Sequence, residues 1–122
     1  MIAGIYGLIV FIPMYFLEAK TGRDFPPAIT HPEYFYGFIG IGIAWQVLFL
    51  FLSTNPIRYR SLMIPSMLEK LAFVIPVSIL FLQHRVAFSI LVASLIDLSL
   101  GVLFVAAYIK TPSVSSNEGR TA

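Results

Sequence analysis

Cysteine is absent from the 122 residues, and with it go disulfides, thiolate metal sites, iron–sulfur clusters and thiol catalysis. Charge is scarce: 11% of the residues are Asp, Glu, Lys or Arg and the formal net charge is +2, spread over connectors without the basic face that nucleic-acid binding needs. There is no glycine-rich phosphate loop, no nucleophile with a neighbouring histidine and no paired catalytic carboxylates in a cleft pattern. Nor is there a polar stretch long enough for a separate soluble domain. An enzymatic role, a cofactor, a resident metal and a nucleic-acid partner are therefore not expected.

What fills the chain instead is apolar: 58% hydrophobic and 15% aromatic residues, a balance outside the soluble range. A membrane span takes about 20 mostly apolar residues, and as few as about 17 suffice. Four runs qualify, at 1–17, 34–52, 62–82 and 86–109. The expected fold class is an all-α, polytopic transmembrane four-helix bundle over residues 1–110, followed by a disordered polar tail at 111–122. The lipid bilayer is its solvent, so any chemistry must sit within the membrane or at its surface.

The first run has no Lys or Arg ahead of it and ends in Tyr15-Phe16-Leu17-Glu18 without a small-residue cleavage pattern, so it is expected to stay rather than to be removed as a signal peptide. It is short, about 25 Å at helical rise, with Pro13 near its end. Residues 18–33 contain Gly22, Pro26, Pro27 and Pro32 and are expected to form an irregular surface loop. Tyr34, Phe35 and Tyr36 then place aromatic rings at headgroup depth. Gly37, Gly40 and Ala44 form a stripe expected to admit another helix closely. Asn55-Pro56 supplies a cap and a first helical position, Pro65 and Pro76 are expected to interrupt the third run, and Gln83-His84-Arg85 leaves room only for a tight hairpin between the last two spans.

With four spans, both termini lie on one side of the membrane with Arg58, Arg60, Lys110 and Arg120, against Lys20, Arg23 and Arg85 on the other. The positive-inside rule then places the termini in the cytoplasm of a protein of the plasma (inner) membrane, by a margin of one residue that leaves dual insertion open.

Glu69, Lys70 and Asp97 stand in the middle of the last two runs. A charge at the centre of a span is disfavoured by roughly 2.5 to 3.5 kcal/mol and marks a site by default. About twelve Leu, Ile, Val and Phe residues in the third run favour insertion by about 4 to 7 kcal/mol, and Glu69 with Lys70 opposes it by a similar amount. That helix needs its neighbours. Counted from the turn, Lys70 and Asp97 lie within about 2 Å of the same depth, so an ion pair across the hairpin is expected, with Ser66 one turn away as a further partner. Ala93, Asp97 and Gly101 share a face that small residues turn toward another helix. Adjacent residues on a helix diverge by about 100°, so Lys70 is expected to be the partner of Asp97 and Glu69 the acid that holds a proton, with Gln46 of the second span or a main-chain carbonyl as its hydrogen-bond partner.

Two readings follow. In one, the trio fixes helix register in a structural or accessory membrane protein acting as a homo-oligomer or within a larger complex. In the other, Glu69, Lys70, Asp97 and Gln46 form the binding or proton site of a proton-linked small-molecule carrier, or of a protein that binds a lipid- or quinone-type ligand. His31, Glu33 and His84 fall on one membrane side and are read as interfacial polar residues rather than metal ligands. Trp45 is read as a packing residue.

The strings His31-Pro32-Glu33-Tyr34-Phe35-Tyr36-Gly37, Ala44-Trp45-Gln46, Pro56-Ile57-Arg58-Tyr59-Arg60 and Leu68-Glu69-Lys70, set in four spans, resemble the DoxX-like small bacterial four-helix membrane proteins in layout. That resemblance implies a membrane location and assigns no catalytic residue. In size the chain is also similar to the small multidrug resistance transporters. Their essential acid lies in the first helix, and here no charged residue precedes Glu18.

Overall fold

The computed structural model describes residues 1–113; the polar tail expected at 111–122 lies, from residue 114 onward, outside them. The described chain is helical, without strands: α1 (Ile2–Met14), α2 (Glu18–Asp24), α3 (Pro32–Thr54), α4 (Met63–Leu82) and α5 (Phe88–Lys110), with a 3₁₀ turn at Arg60–Leu62 leading into α4. It divides into two compact units, one from Met1 to Ser53 and one from Thr54 onward.

Three stretches of 23 residues each, Pro32–Thr54, Arg60–Leu82 and Phe88–Lys110, are long and apolar enough to cross a membrane. At helical rise each extends about 35 Å, against a hydrocarbon core of about 30 Å. Only 28, 22 and 17% of their most apolar windows are buried within the protein, and large side chains such as Phe51, Leu68, Ile75 and Val102 face outward. Water would penalise such a surface, whereas hydrocarbon accepts it, because every main-chain polar group of a helix is satisfied internally. These features are those of an integral membrane protein. The first run is different. Its helix has 13 residues, about 20 Å, and turns through 93° into α2, so it makes a fourth span only if the bent pair counts as one.

The connector at 18–33, expected as irregular loop, begins with the regular helix α2. Lys20 pairs with Asp24 one turn on, the spacing that supports a helix surface. Gly22 is buried against the Ala28–Ile29 main chain, where a Cβ would lie 3.1 Å from Ala28 Cα. The prolines fall after α2 and so end it, and Pro32 takes the first position of α3, where its missing N–H costs nothing. Pro65 likewise falls in the first turn of α4, which leaves Pro76 as the interior proline of that helix.

In the first unit, α1 meets α3 through glycine. A Cβ on Gly4 would stand 2.9 Å from the Gln46 carbonyl oxygen, one on Gly7 would overlap the Gln46 side-chain amide, and one on Gly42 would stand 2.7 Å from the Phe11 ring. The stripe expected at Gly37, Gly40 and Ala44 is not the contact: Gly37 has open space around it, Gly40 meets only the Tyr15 hydroxyl, and Ala44 is exposed. Aromatic pairs continue the contact toward α2. Phe11 meets Phe38 edge to face at 5.5 Å, Tyr15 stacks on Tyr36 at 6.0 Å, and the Tyr36 hydroxyl donates to Glu18 Oε2 at 2.7 Å.

In the second unit, α4 and α5 form the expected antiparallel hairpin. At the turn, Arg85 N–H donates to the Leu80 carbonyl and His84 N–H to the Phe81 carbonyl, both at 2.9 Å. This crossed pair is the Schellman arrangement that closes a helix, and His84 takes its left-handed position at φ 56°. At the opposite end Arg60 closes α5: its Nε–H donates to the carbonyls of Tyr108 at 3.2 Å and Thr111 at 2.7 Å, and its guanidinium lies 3.8 Å over the Tyr108 ring. A cation on the unsatisfied carbonyls of a helix C-terminus is favourable both as donor and as charge. Asn55 Oδ1 accepts from Arg58 N–H at 3.1 Å, which closes a turn over 55–58 rather than capping a helix as expected, because α4 starts only at Met63 with Leu62 at its N-cap.

Candidate functional site

The buried residues of α4, Met63, Ser66, Lys70, Val74 and Val77, recur at three- and four-residue steps, so the face that α4 turns inward carries a serine and a lysine among apolar residues. On α5 the buried positions are Ser94 and Leu100, with Asp97 between them. Each serine returns its hydroxyl proton to its own helix: Ser66 donates to the Leu62 carbonyl at 2.7 Å and Ser94 to that of Leu91 at 2.8 Å. Those bonds let hydroxyls sit in an apolar seam without desolvation cost.

Lys70 is the centre. Its side chain is 5% exposed, and Nζ lies 3.2 Å from Asp97 Oδ1 on α5 and 3.2 Å from Glu69 Oε2 on its own helix. The Asp97 contact has hydrogen-bond geometry. Glu69 Oε2 is buried and meets the same ammonium as an ion pair, with no other hydrogen-bond partner among the described residues. Gly101 admits the lysine stem: a Cβ there would lie 3.3 Å from Lys70 Cβ. The main chain of α5 therefore comes close enough for Nζ to reach a carboxylate one turn from Gly101. Both carboxylates are mostly buried, at 18% exposed.

The expected Lys70–Asp97 pair is thus present. The expectation that Glu69 turns away from it differs in one respect, because Glu69 reaches the same ammonium. A 100° divergence separates side-chain directions at the main chain, but a long lysine and a glutamate bend back to each other beyond Cγ. Two carboxylates then share one cation. With both ionised the cluster carries one net negative charge, and a single added proton makes it neutral.

Gln46, expected beside Glu69, belongs to the first unit. It is 1% exposed, its Nε2 donates to the Gly42 carbonyl at 3.0 Å, and its Oε1, packed against Gly7, has no hydrogen-bond donor among the described residues. An amide oxygen against a glycine Cα is positioned for a weak Cα–H···O contact. Trp45 packs on Phe49 with centroids 6.1 Å apart. His31 stacks on Tyr34 and lies 3.2 Å from Glu33, while His84 serves the hairpin turn of the other unit. No group of three or more metal-ligating side chains occurs among the described residues.

The sequence reading missed two residues. Gly7 was visible as the second of two small residues four apart, Ala3 and Gly7, in an otherwise bulky run, a spacing that marks a close helix contact. Arg60 reads from sequence only as a topology signal, because nothing local shows that α5 ends beside it.

Compared with protein-family models, curated proteins and solved structures, the chain gives no match.

Proposed function

We propose that this protein is a non-enzymatic structural or accessory component of the plasma membrane, a polytopic four-span bundle with α1 and α2 as its first crossing and both termini cytoplasmic. It works as a homo-oligomer or as a subunit of a larger membrane complex, and the Glu69–Lys70–Asp97 cluster holds its last two helices in register. One observation carries this reading: an almost fully buried ammonium shared by two carboxylates, one on each helix of the hairpin. Removing one partner of a buried ion pair leaves an uncompensated charge, which costs more than the pair contributes when intact. Such a cluster specifies which helices meet and at what register.

The surplus carboxylate favours a second reading, a proton-linked carrier or lipid-type ligand-binding protein in which Glu69 takes up and releases the proton. The excess of two carboxylates over one ammonium supports it, because a single proton taken up by the cluster would cancel its net charge. Charge exchange separates the two. On the structural reading, Lys70→Asp and Asp97→Lys each lower membrane abundance, and the double exchange restores it. Glu69→Gln leaves abundance and assembly unchanged on that reading. If instead Glu69→Gln keeps abundance but abolishes proton movement by the wild-type protein in proteoliposomes, followed with an internal pH dye, the carrier reading replaces it.

A further inference from the structure

The open end of the α4/α5 hairpin is the most one-signed place in the second unit. Arg58 and Lys110 are exposed and Arg60 is half-buried, and Arg60 itself ties the two helix ends together through the Tyr108 and Thr111 carbonyls. The described acids of this unit, Glu69 and Asp97, are already engaged with Lys70. They lie nine residues from Arg60 and thirteen from Lys110, about 13 and 20 Å along their helices. No described carboxylate of the unit therefore neutralises this end.

Capping does not exhaust Arg60. Its Nε–H serves both carbonyls, and the two terminal nitrogens of the fork make no hydrogen bond or ion pair among the described residues. The carbonyls at the end of α5 would repel an anion, but Arg60 covers them, and α4 begins at the same end with its positive pole. Tyr59 and Tyr108 flank the guanidinium groups, with Arg58 5.6 Å from the Tyr59 centroid. Aromatic rings beside cations at the end of an apolar hairpin mark headgroup depth.

We infer that the end of the α4/α5 hairpin carrying Arg58, Arg60 and Lys110 binds the phosphate of an anionic glycerophospholipid headgroup. A planar guanidinium fork matches phosphate oxygens, and two flanking cations complete the charge. The commitment to a lipid rather than a soluble phosphate rests on the membrane reading: the site stands where helices long enough to span leave the hydrocarbon, so a headgroup held there keeps its acyl chains beside the exposed apolar face of α5. The opposite end of the hairpin offers a control, because its Arg85 turns to Gln83 Oε1 at 3.4 Å within a short turn.

The test uses the full chain purified in a neutral detergent, with phosphatidylglycerol and phosphatidylcholine titrated separately and bound lipid counted by native mass spectrometry. Phosphatidylglycerol is expected to bind preferentially and more weakly as sodium chloride rises. Arg58→Gln and Lys110→Gln should each weaken it about fivefold and the pair about 25-fold, whereas Arg85→Gln leaves it unchanged. Arg58 and Lys110 take no part in closing the hairpin through their side chains, so both variants are expected to fold, and unchanged thermal unfolding in lipid-free detergent verifies it. Equal binding of the two lipids, an Arg85→Gln effect as large as that of Lys110→Gln, or full competition by millimolar inorganic phosphate would overturn the proposal. Extraction of the protein from membranes by carbonate would defeat the membrane reading instead, a separate result.

Discussion

The two units solve one problem in opposite ways. Lipid tails are as apolar as leucine, so helices in a membrane gain little from hiding apolar surface from one another and must associate through close packing or polar contacts. In the first unit α1 meets α3 by subtraction, with Gly4 and Gly7 offering bare main chain to Gln46 and Leu50. In the second, α4 meets α5 by addition, through a shared ammonium at mid-helix and an arginine across the open end. Contacts by subtraction tolerate no new atoms, whereas contacts by addition tolerate no lost charges. Each unit should therefore fail most under the change that matters least to the other, with Gly101 against Lys70 Cβ the one glycine approach among the described residues of the second.

The largest effect is expected in the second unit. Lys70→Met leaves Glu69 and Asp97 buried together without a cation and should destabilise the hairpin by about 3 to 5 kcal/mol, read as loss of membrane-inserted protein and a lower thermal midpoint in detergent. Adding Glu69→Gln and Asp97→Asn to Lys70→Met should recover most of that loss, because the penalty comes from unpaired charge rather than from a missing bond. If the triple variant is as unstable as the single one, the cluster acts through something other than charge balance.

Next in size is the first unit. Gly4→Ala places a methyl 2.9 Å from the Gln46 carbonyl oxygen, a main-chain atom that moves only with its helix, and overpacking of this kind costs about 1 to 3 kcal/mol. Gly7→Ala displaces the Gln46 amide from its bond to Gly42. Both should lower stability, while Gly37→Ala, with nothing nearby, should be neutral or slightly helix-favouring. Equal effects at Gly4 and Gly37 would remove the distinction between the units. Charge changes should show the complementary pattern: Lys20→Gln, which breaks an exposed pair with Asp24, is expected to shift stability by less than about 1 kcal/mol.

How far the sequence disclosed this follows from the same contrast. Lys70 and Asp97 could be paired on paper because a charge in an apolar run stands out, and a short turn, expected as three residues and five long between α4 and α5, fixes the register of the two helices it joins. The glycine contact could not be assigned, because a stripe shows only that approach is possible. Gly37 and Gly40 follow helical spacing as well as Gly4 and Gly7, and the choice depends on the path of the connector. That path was obscured by the prolines, which read as disruption along 18–33 although α2 precedes them. Arg60 was hidden for a related reason, since its partners Tyr108 and Thr111 are some fifty residues away.

Third comes the clamp itself. Arg60→Gln keeps a donor but loses the charge on the α5 terminus and the stacking over Tyr108, and should cost about 1 to 2 kcal/mol. Amide exchange should accelerate in the last turn of α5 and leave the turn at His84 unchanged, which places the effect at one end of the hairpin.

The smallest effect should run the other way. His84 holds the left-handed position that ends α4, with φ at 56°, where a side chain is disfavoured by roughly 1 kcal/mol and glycine is not. Glycine is freer in the unfolded chain, which offsets part of that gain, so His84→Gly should raise stability by about 0.5 kcal/mol at most. His84→Val, β-branched at the same φ, should lower it by more than the glycine raises it. The imidazole is exposed and shows no hydrogen bond from its ring among the described residues, so these signs rest on backbone conformation alone. If glycine instead destabilises the hairpin by 1 kcal/mol or more, the histidine ring contributes to the fold through a contact beyond the turn. The register that brings Lys70 opposite Asp97 would then depend on that ring as well as on the length of the connection.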